Sequence, residues 1–167
     1  APGQTALVAG DGRLGLLCAW TLHLAGAEVT VAGRHAERAA LLPDGVGHVM
    51  GWLEEGATSE KKFDLAVEAT GTSPVLPRLL SMVRPRGTLV LKTTLESPTT
   101  LDLSRLVIDE IQLLGSRCGP FDVAVAALSR GEVAVEPLIQ ARFPLAQGVA
   151  ALDCAAAGGV LKVLITV

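Results

Sequence analysis

Apolar runs of strand length alternate with stretches of helical spacing along most of this 167-residue chain. Strands buried on both faces read as continuous apolar runs, because parallel sheets are covered by helices on either side. Six strands are expected at 5–10 ("TALVAG"), 28–33 ("EVTVAG"), 47–53 ("GHVMGWL"), 63–71 ("FDLAVEATG"), 87–94 ("GTLVLKTT") and 111–117 ("IQLLGSR"). A helix over 14–25 would place Leu14, Leu17, Cys18, Thr21 and Ala25 on one stripe and end at Gly26. Further helices are expected over 34–42, stopped by Pro43, over 73–83, with Pro74 in its first turn, and over 101–110 and 120–131. A polar link, "EEGATSEKK", separates the third and fourth strands. The tail holds "LIQARFPL", a helix-like 146–158 and a last strand over 160–167. The pattern predicts an α/β fold, a doubly wound and mostly parallel six-stranded sheet with a helix-strand appendage.

Composition narrows the function classes. Half of the residues are hydrophobic, yet charges interrupt every long apolar stretch, so neither a membrane span nor a secretory leader is expected. A net charge of −3 speaks against nucleic acid as a partner. Cys18, Cys118 and Cys154 are widely spaced and match neither a disulfide framework nor a zinc site, which fits reduced cysteines of a cytoplasmic protein. The apolar pattern starts almost at once after "APGQ", which predicts a domain belonging to a longer polypeptide.

The first strand runs into "GDGRLG", a G-x-G-x-x-G turn that opens a helix within a βαβ unit. In such a turn Gly10 permits the tight bend, Gly12 leaves room for a pyrophosphate, and Gly15 lets helix and strand approach. Backbone N–H groups and the helix dipole then favour the anion. The end of the second strand selects the dinucleotide. NAD sites place Asp or Glu there for the ribose hydroxyls, but this chain reads "VAGRHAER", with Gly33 in the acid's position and Arg34 and Arg38 following. A guanidinium holds a 2′-phosphate through paired, charge-assisted bonds, which favours NADP over NAD. The alternative reading of Arg34 and Arg38 is a solvated helix start.

Thr70 and Gly71 end the fourth strand, and Lys92, Thr93 and Thr94 end the fifth, at the carboxyl edge where such folds bind ligands. Glu68, within an apolar strand, reads as a hydrogen-bonded structural carboxylate rather than a catalytic one. His23 and His48 read as core or surface histidines. Tyrosine is absent, which rules out a tyrosine–lysine proton relay of the short-chain type. No catalytic residue is assigned within the chain.

The ordered set "GDGRLGLLCAWTLHLAGAEVTVAGR", "FDLAVEATG", "LLSMVRPRGTLVLKTT" and "DEIQLLGSR" resembles the medium-chain dehydrogenase/reductase family, which includes the zinc-dependent alcohol dehydrogenases. The resemblance extends to the tail, "FPLAQGVAALDCAAAGGVLKVLITV". It implies a Rossmann-type cofactor-binding domain over 1–135, and a segment over 136–167 that helps build a preceding barrel-like catalytic domain. Substrate, an alcohol or carbonyl compound, and zinc where one is used, would be held there. Within this chain the resemblance implies that Gly10, Gly12, Arg13, Leu14 and Gly15 meet the pyrophosphate. Gly33, Arg34 and Arg38 would surround the adenosine ribose, and Thr70, Gly71, Lys92, Thr93 and Thr94 would line the path to the nicotinamide. Ser116 and Arg117 would lie near the nicotinamide end, and Lys162 near the phosphates. The resemblance also implies a candidate homodimer edge at the sixth strand, "IQLLGSR". The competing reading is a non-enzymatic nucleotide-sensing domain of the kind that gates potassium transport, whose glycine turns are spelled like "GDGRLG" but which keep an acid where Gly33 stands.

Overall fold

Thr5–Ala9 forms β1, the strand around which the rest is arranged. The computed structural model describes residues 2–52, 63–94 and 97–167, so the polar link lies outside the described residues. The chain divides into two compact units, Ala1–Pro120 and Phe121–Val167.

In the first unit β1 is followed by helix α1 (Arg13–Leu24), β2 (Glu28–Gly33), β3 (Gly47–Met50), β4 (Phe63–Glu68), α2 (Val75–Met82), β5 (Val83–Leu91), α3 (Leu103–Ile108) and β6 (Gln112–Gly115). Every pairing is parallel, and the sheet order is β3-β2-β1-β4-β5-β6. The six expected strands are all present. Alternate residues of β1 serve the two faces, as the period of two in a strand requires. Leu7 and Ala9 join Ala66, Leu76, Leu79, Leu80 and Leu89 on one side. Ala6 and Val8 join Ala19, Val29, Val31 and Val67 on the other. Because the chain leaves β1 toward β2 and later returns to pair β4 on its other flank, a crevice opens between the carboxyl ends of β1 and β4.

Three local expectations are corrected. The buried residues of α1 are Gly15, Leu16 and Ala19, and Leu14 and Cys18 of the expected stripe pack against the core beside them, whereas Thr21 and Ala25 are exposed. Gly15 is pressed against the glycine turn, which brings the first turns of the helix onto the sheet, while Thr21 and Ala25 in its last turn face away. Residues 34–42 are not an α-helix: Arg34 and His35 stay in a loop, and only Ala36–Leu41 winds into a short 3-10 turn. The cause is an acceptor elsewhere that takes the N–H groups of both residues. Finally, β5 begins at Val83, directly after α2, rather than at Gly87, and passes through Arg86 with φ of 63°.

The second unit contains α4 (Phe121–Ser129), β7 (Ile139–Pro144), α5 (Gly148–Ala156) and β8 (Lys162–Thr166). β7 and β8 pair in parallel around α5, and Leu161 donates its N–H to the Gln140 side chain. The segment "LIQARFPL" thus supplies the partner of the last strand. Among the described residues no helix is long and apolar enough to cross a membrane.

Candidate functional site

The glycine turn is built by close contacts that side chains would break. Gly10 has φ of 106°, a left-handed value that favours glycine, and its N–H donates to Ala32 O at 2.8 Å. A Cβ on Gly10 would stand 2.8 Å from Ala69 O, and one on Gly15 only 1.8 Å from Gly10 O. At Gly12 a Cβ would meet nothing within 4 Å, so that position faces open space rather than protein. Gly12 caps α1 without a side-chain hydrogen bond, which leaves the first N–H groups of the helix directed at that space.

Within the turn lies a residue that sequence reasoning passed over. Asp11 is buried, and its Oδ2 accepts from Arg34 N at 3.0 Å and His35 N at 2.8 Å. Its Oδ1 stands 3.0 Å from His35 Nδ1 and 3.4 Å from Arg38 Nη1, which also donates to Asp11 O at 3.1 Å. Burial pushes the Asp11 carboxyl up, but the His35 side chain and the His35 and Arg34 N–H groups outweigh it and hold the carboxyl below its ordinary value. His48 Nε2 lies 3.6 Å from Oδ2, too far for a hydrogen bond, and is buried with no such partner among the described residues. Arg38 is therefore buried against Asp11, not part of a solvated helix start, while Arg34 is exposed. The available signal was the pairing of a glycine at 33 with an aspartate inside the turn.

The far wall of the crevice is set by Glu68, which is wholly buried. Its Oε1 accepts from Thr70 N at 2.6 Å, Thr70 Oγ1 at 2.7 Å and Gly71 N at 2.8 Å, while Oε2 takes the Thr93 hydroxyl. Glu68 is thus a hydrogen-bonded structural carboxylate that joins the ends of β4 and β5. Lys92 Nζ donates to Arg117 O at 2.8 Å and lies 3.5 Å from Ser116 Oγ, tying the ends of β5 and β6 together.

A cavity of about 370 Å³ brings part of the expected set together: Gly10, Gly12, Gly33, Arg34, Arg38 and Thr70 line it. Asp11, His35 and Thr72 line it as well. Arg13, Leu14 and Gly15 continue the turn into α1; Gly71, Lys92, Thr93, Thr94, Ser116 and Arg117 lie at or beyond the ends of β4 to β6 and are not in its lining. Lys162 belongs to β8 in the second unit. A second hollow of about 600 Å³, lined by Thr5, His23, Glu28 and Thr30 among others, sits at the amino ends of the strands, away from the glycine turn. Among the described residues no three His, Cys, Asp or Glu side chains gather where a metal ion could be held.

Residues 14–130 match a family model described as zinc-binding dehydrogenase. The chain is 27% identical over 154 residues to a 2-dehydro-3-deoxy-L-galactonate 5-dehydrogenase of Pseudoalteromonas atlantica, covering 86% of this chain and 45% of that protein. A Sinorhizobium meliloti protein solved bound to NADP shares the fold with a TM-score of 0.88 at 23% identity, over 99% of this chain and 53% of its own. An Escherichia coli alcohol dehydrogenase solved with NADH shares it at 0.82 and 22%, over 99% of this chain and 52% of its own. The chain spans about half the length of the curated relatives it matches.

Proposed function

This chain belongs to the zinc-binding dehydrogenase family, and on that premise we propose that it is the NADP(H)-binding part of an oxidoreductase acting on an alcohol or carbonyl substrate. One observation carries the reading: the glycine turn and the Gly33–Arg34 loop line a single cavity at the carboxyl edge of the sheet. The residues fit the cofactor, because the space in front of Gly12 is open and the helix end behind it has no side-chain cap.

In this reading the turn and the first N–H groups of α1 hold the pyrophosphate, with Arg13 and Leu14 at the helix start and Gly15 keeping the helix close. The Arg34 guanidinium, exposed at the cavity rim, meets the 2′-phosphate, and the absence of a side chain at Gly33 removes the carboxylate that would repel it. Buried Arg38 supports that corner from beneath. Thr70, Gly71, Thr93 and Thr94 lie along the route to the nicotinamide, with Lys92, Ser116 and Arg117 at its end. The nicotinamide, once bound, supplies the hydride chemistry; the protein orients it. Substrate and any catalytic zinc are assigned to a barrel-like domain outside this chain, so the chain alone should bind cofactor without turning over substrate. The outer edge of β6, where Leu113 and Leu114 are exposed, is the proposed dimer contact.

Calorimetric titration with NADPH and NADH, on the chain and on Arg34→Ala, tests the reading. A charged hydrogen bond to the 2′-phosphate predicts NADPH tighter by about 10- to 100-fold, a margin that Arg34→Ala erases. Tighter NADH binding would refute the NADP assignment, and folded protein that binds neither would refute the cofactor site.

A further inference from the structure

We propose that Asp11, inside the glycine turn, is a positioning residue that sets which dinucleotide this site takes. It does so by occupying the place of the missing strand-end carboxylate and by fixing the Arg34–His35 backbone at the cavity. The inference rests on the NADP reading above and adds a residue that the glycine pattern does not specify.

The first ground is steric. A Cβ built on Gly33 would lie 2.2 Å from Asp11 Oδ2, 2.3 Å from its Cγ and 2.6 Å from its Cβ. The last of these is fixed to the backbone, so no rotation of Asp11 clears the space. A side chain at position 33 and the Asp11 carboxylate therefore exclude one another, and an acid at the end of β2 has no room while Asp11 stands there.

The second ground is the use of the carboxylate's acceptors. A strand-end acid in an NAD site accepts from ribose hydroxyls. Asp11 instead takes two backbone N–H groups on Oδ2 and faces His35 Nδ1 and Arg38 Nη1 on Oδ1. Little accepting capacity is left for a hydroxyl, and the N–H bonds hold Arg34 and His35 out of the helix that their sequence suggests.

The third ground is charge. Asp11 and Arg38 are both buried and paired, so their charges cancel within the corner. Arg34, exposed and without a hydrogen bond or ion pair from its guanidinium among the described residues, leaves the rim positive. An aspartate so close to a 2′-phosphate would repel it if unpaired; compensated by Arg38 and turned toward backbone N–H groups, it instead presents the cation that the phosphate needs.

The experiment is a double-mutant cycle by calorimetry on the chain, with NADPH and NADH, for Asp11→Asn, Arg34→Ala and the pair. In Asp11→Asn either amide orientation sets an NH2 against donors that now bond to a carboxylate oxygen. NADPH affinity should fall about tenfold while NADH affinity changes less than about threefold. The pair should bind NADPH no more than about threefold worse than Arg34→Ala, because Asp11 acts through Arg34. Equal losses for both cofactors, or losses that multiply in the pair, would overturn the proposal. A wild-type preference for NADH, read before any variant, would instead remove the NADP reading beneath it. Should Asp11→Asn not fold, Asp11→Gly combined with Gly33→Asp returns the acid to the strand end. That pair should prefer NADH and melt above Gly33→Asp alone; a pair that still prefers NADPH overturns the proposal.

Discussion

Replacing Glu68 by Gln and by Met separates the charge of a buried carboxylate from the hydrogen bonds it accepts. Its Oε1 holds Thr70 N, Thr70 Oγ1 and Gly71 N, and its Oε2 holds Thr93 Oγ1. In Glu68→Gln the amide oxygen can keep the Oε1 position, and the Thr93 hydroxyl can rotate to accept from the new NH2. Both backbone N–H groups stay satisfied, so only the charge assistance is lost, about 1–2 kcal/mol. Glu68→Met keeps the length of the fully buried side chain but leaves the half-buried Thr70 and Gly71 N–H groups without their acceptor. Each orphaned group costs about 1–3 kcal/mol, against roughly 1 kcal/mol regained from apolar burial, for a net loss on the order of 3 kcal/mol. Urea unfolding measures the contrast: both midpoints fall with the slope unchanged, and the Met variant falls roughly two to three times as far. Equal shifts, or a Met variant more stable than the Gln variant, would refute the view that Glu68 acts as an acceptor for loop N–H groups.

Two further outcomes follow from the site. Gly15→Ala drives a Cβ to 1.8 Å from Gly10 O, whereas Gly12→Ala meets nothing within 4 Å. The first should lower the melting temperature by on the order of 10 °C, the second should leave melting unchanged yet weaken NADPH binding, both read by thermal unfolding and titration. Asp11 is held below its ordinary value despite burial, and Asp64 is too, by the Thr5 N–H first and then by Arg84. Because the folded values are depressed, the stability these groups contribute is complete above the unfolded value of about 3.9 and is lost as the pH falls through the folded values. Urea midpoints should therefore decline on acidification below about pH 4, less steeply in Asp11→Asn.

The strands were legible because each holds a short apolar stretch of strand length, and the glycine turn was legible because φ at Gly10 and the Gly15 contact leave no other residue type a place. What the sequence hid were effects of contact between distant segments. The periodicity of 14–25 pointed to a stripe that included Thr21 and Ala25, but the helix is held to the sheet at Gly15, Leu16 and Ala19 and its last turn is exposed. The run "RHAERAALL" has helical composition, yet Asp11, 23 residues before Arg34, takes its first N–H groups. Asp11 itself reads locally as a turn residue; its importance appears only when Gly33 is seen beneath it. His48, unremarkable in a strand, reaches the same carboxylate only through the β2–β3 register that sets Val31 beside it.

Asp11 and Glu68 solve the same physical problem on either side of the crevice. Each is a buried carboxylate, Asp11 in the turn that follows β1 and Glu68 at the end of β4, and each accepts two consecutive loop N–H groups: those of Arg34 and His35, and those of Thr70 and Gly71. Loop amides usually exchange quickly, because they bond to water and open with the loop. Here the acceptors are buried carboxylates at the carboxyl ends of β1 and β4, so opening either loop would strand a desolvated charge, a cost of several kcal/mol. The four amides should therefore exchange slowly in the cofactor-free chain, at rates near those of the β1–β4 ladder. Added NADPH should slow them by less than about tenfold, since the ordering that binding would otherwise require is already in place. Fast exchange in the free chain that slows by orders of magnitude with NADPH would mean that the cofactor, and not the two carboxylates, orders the site.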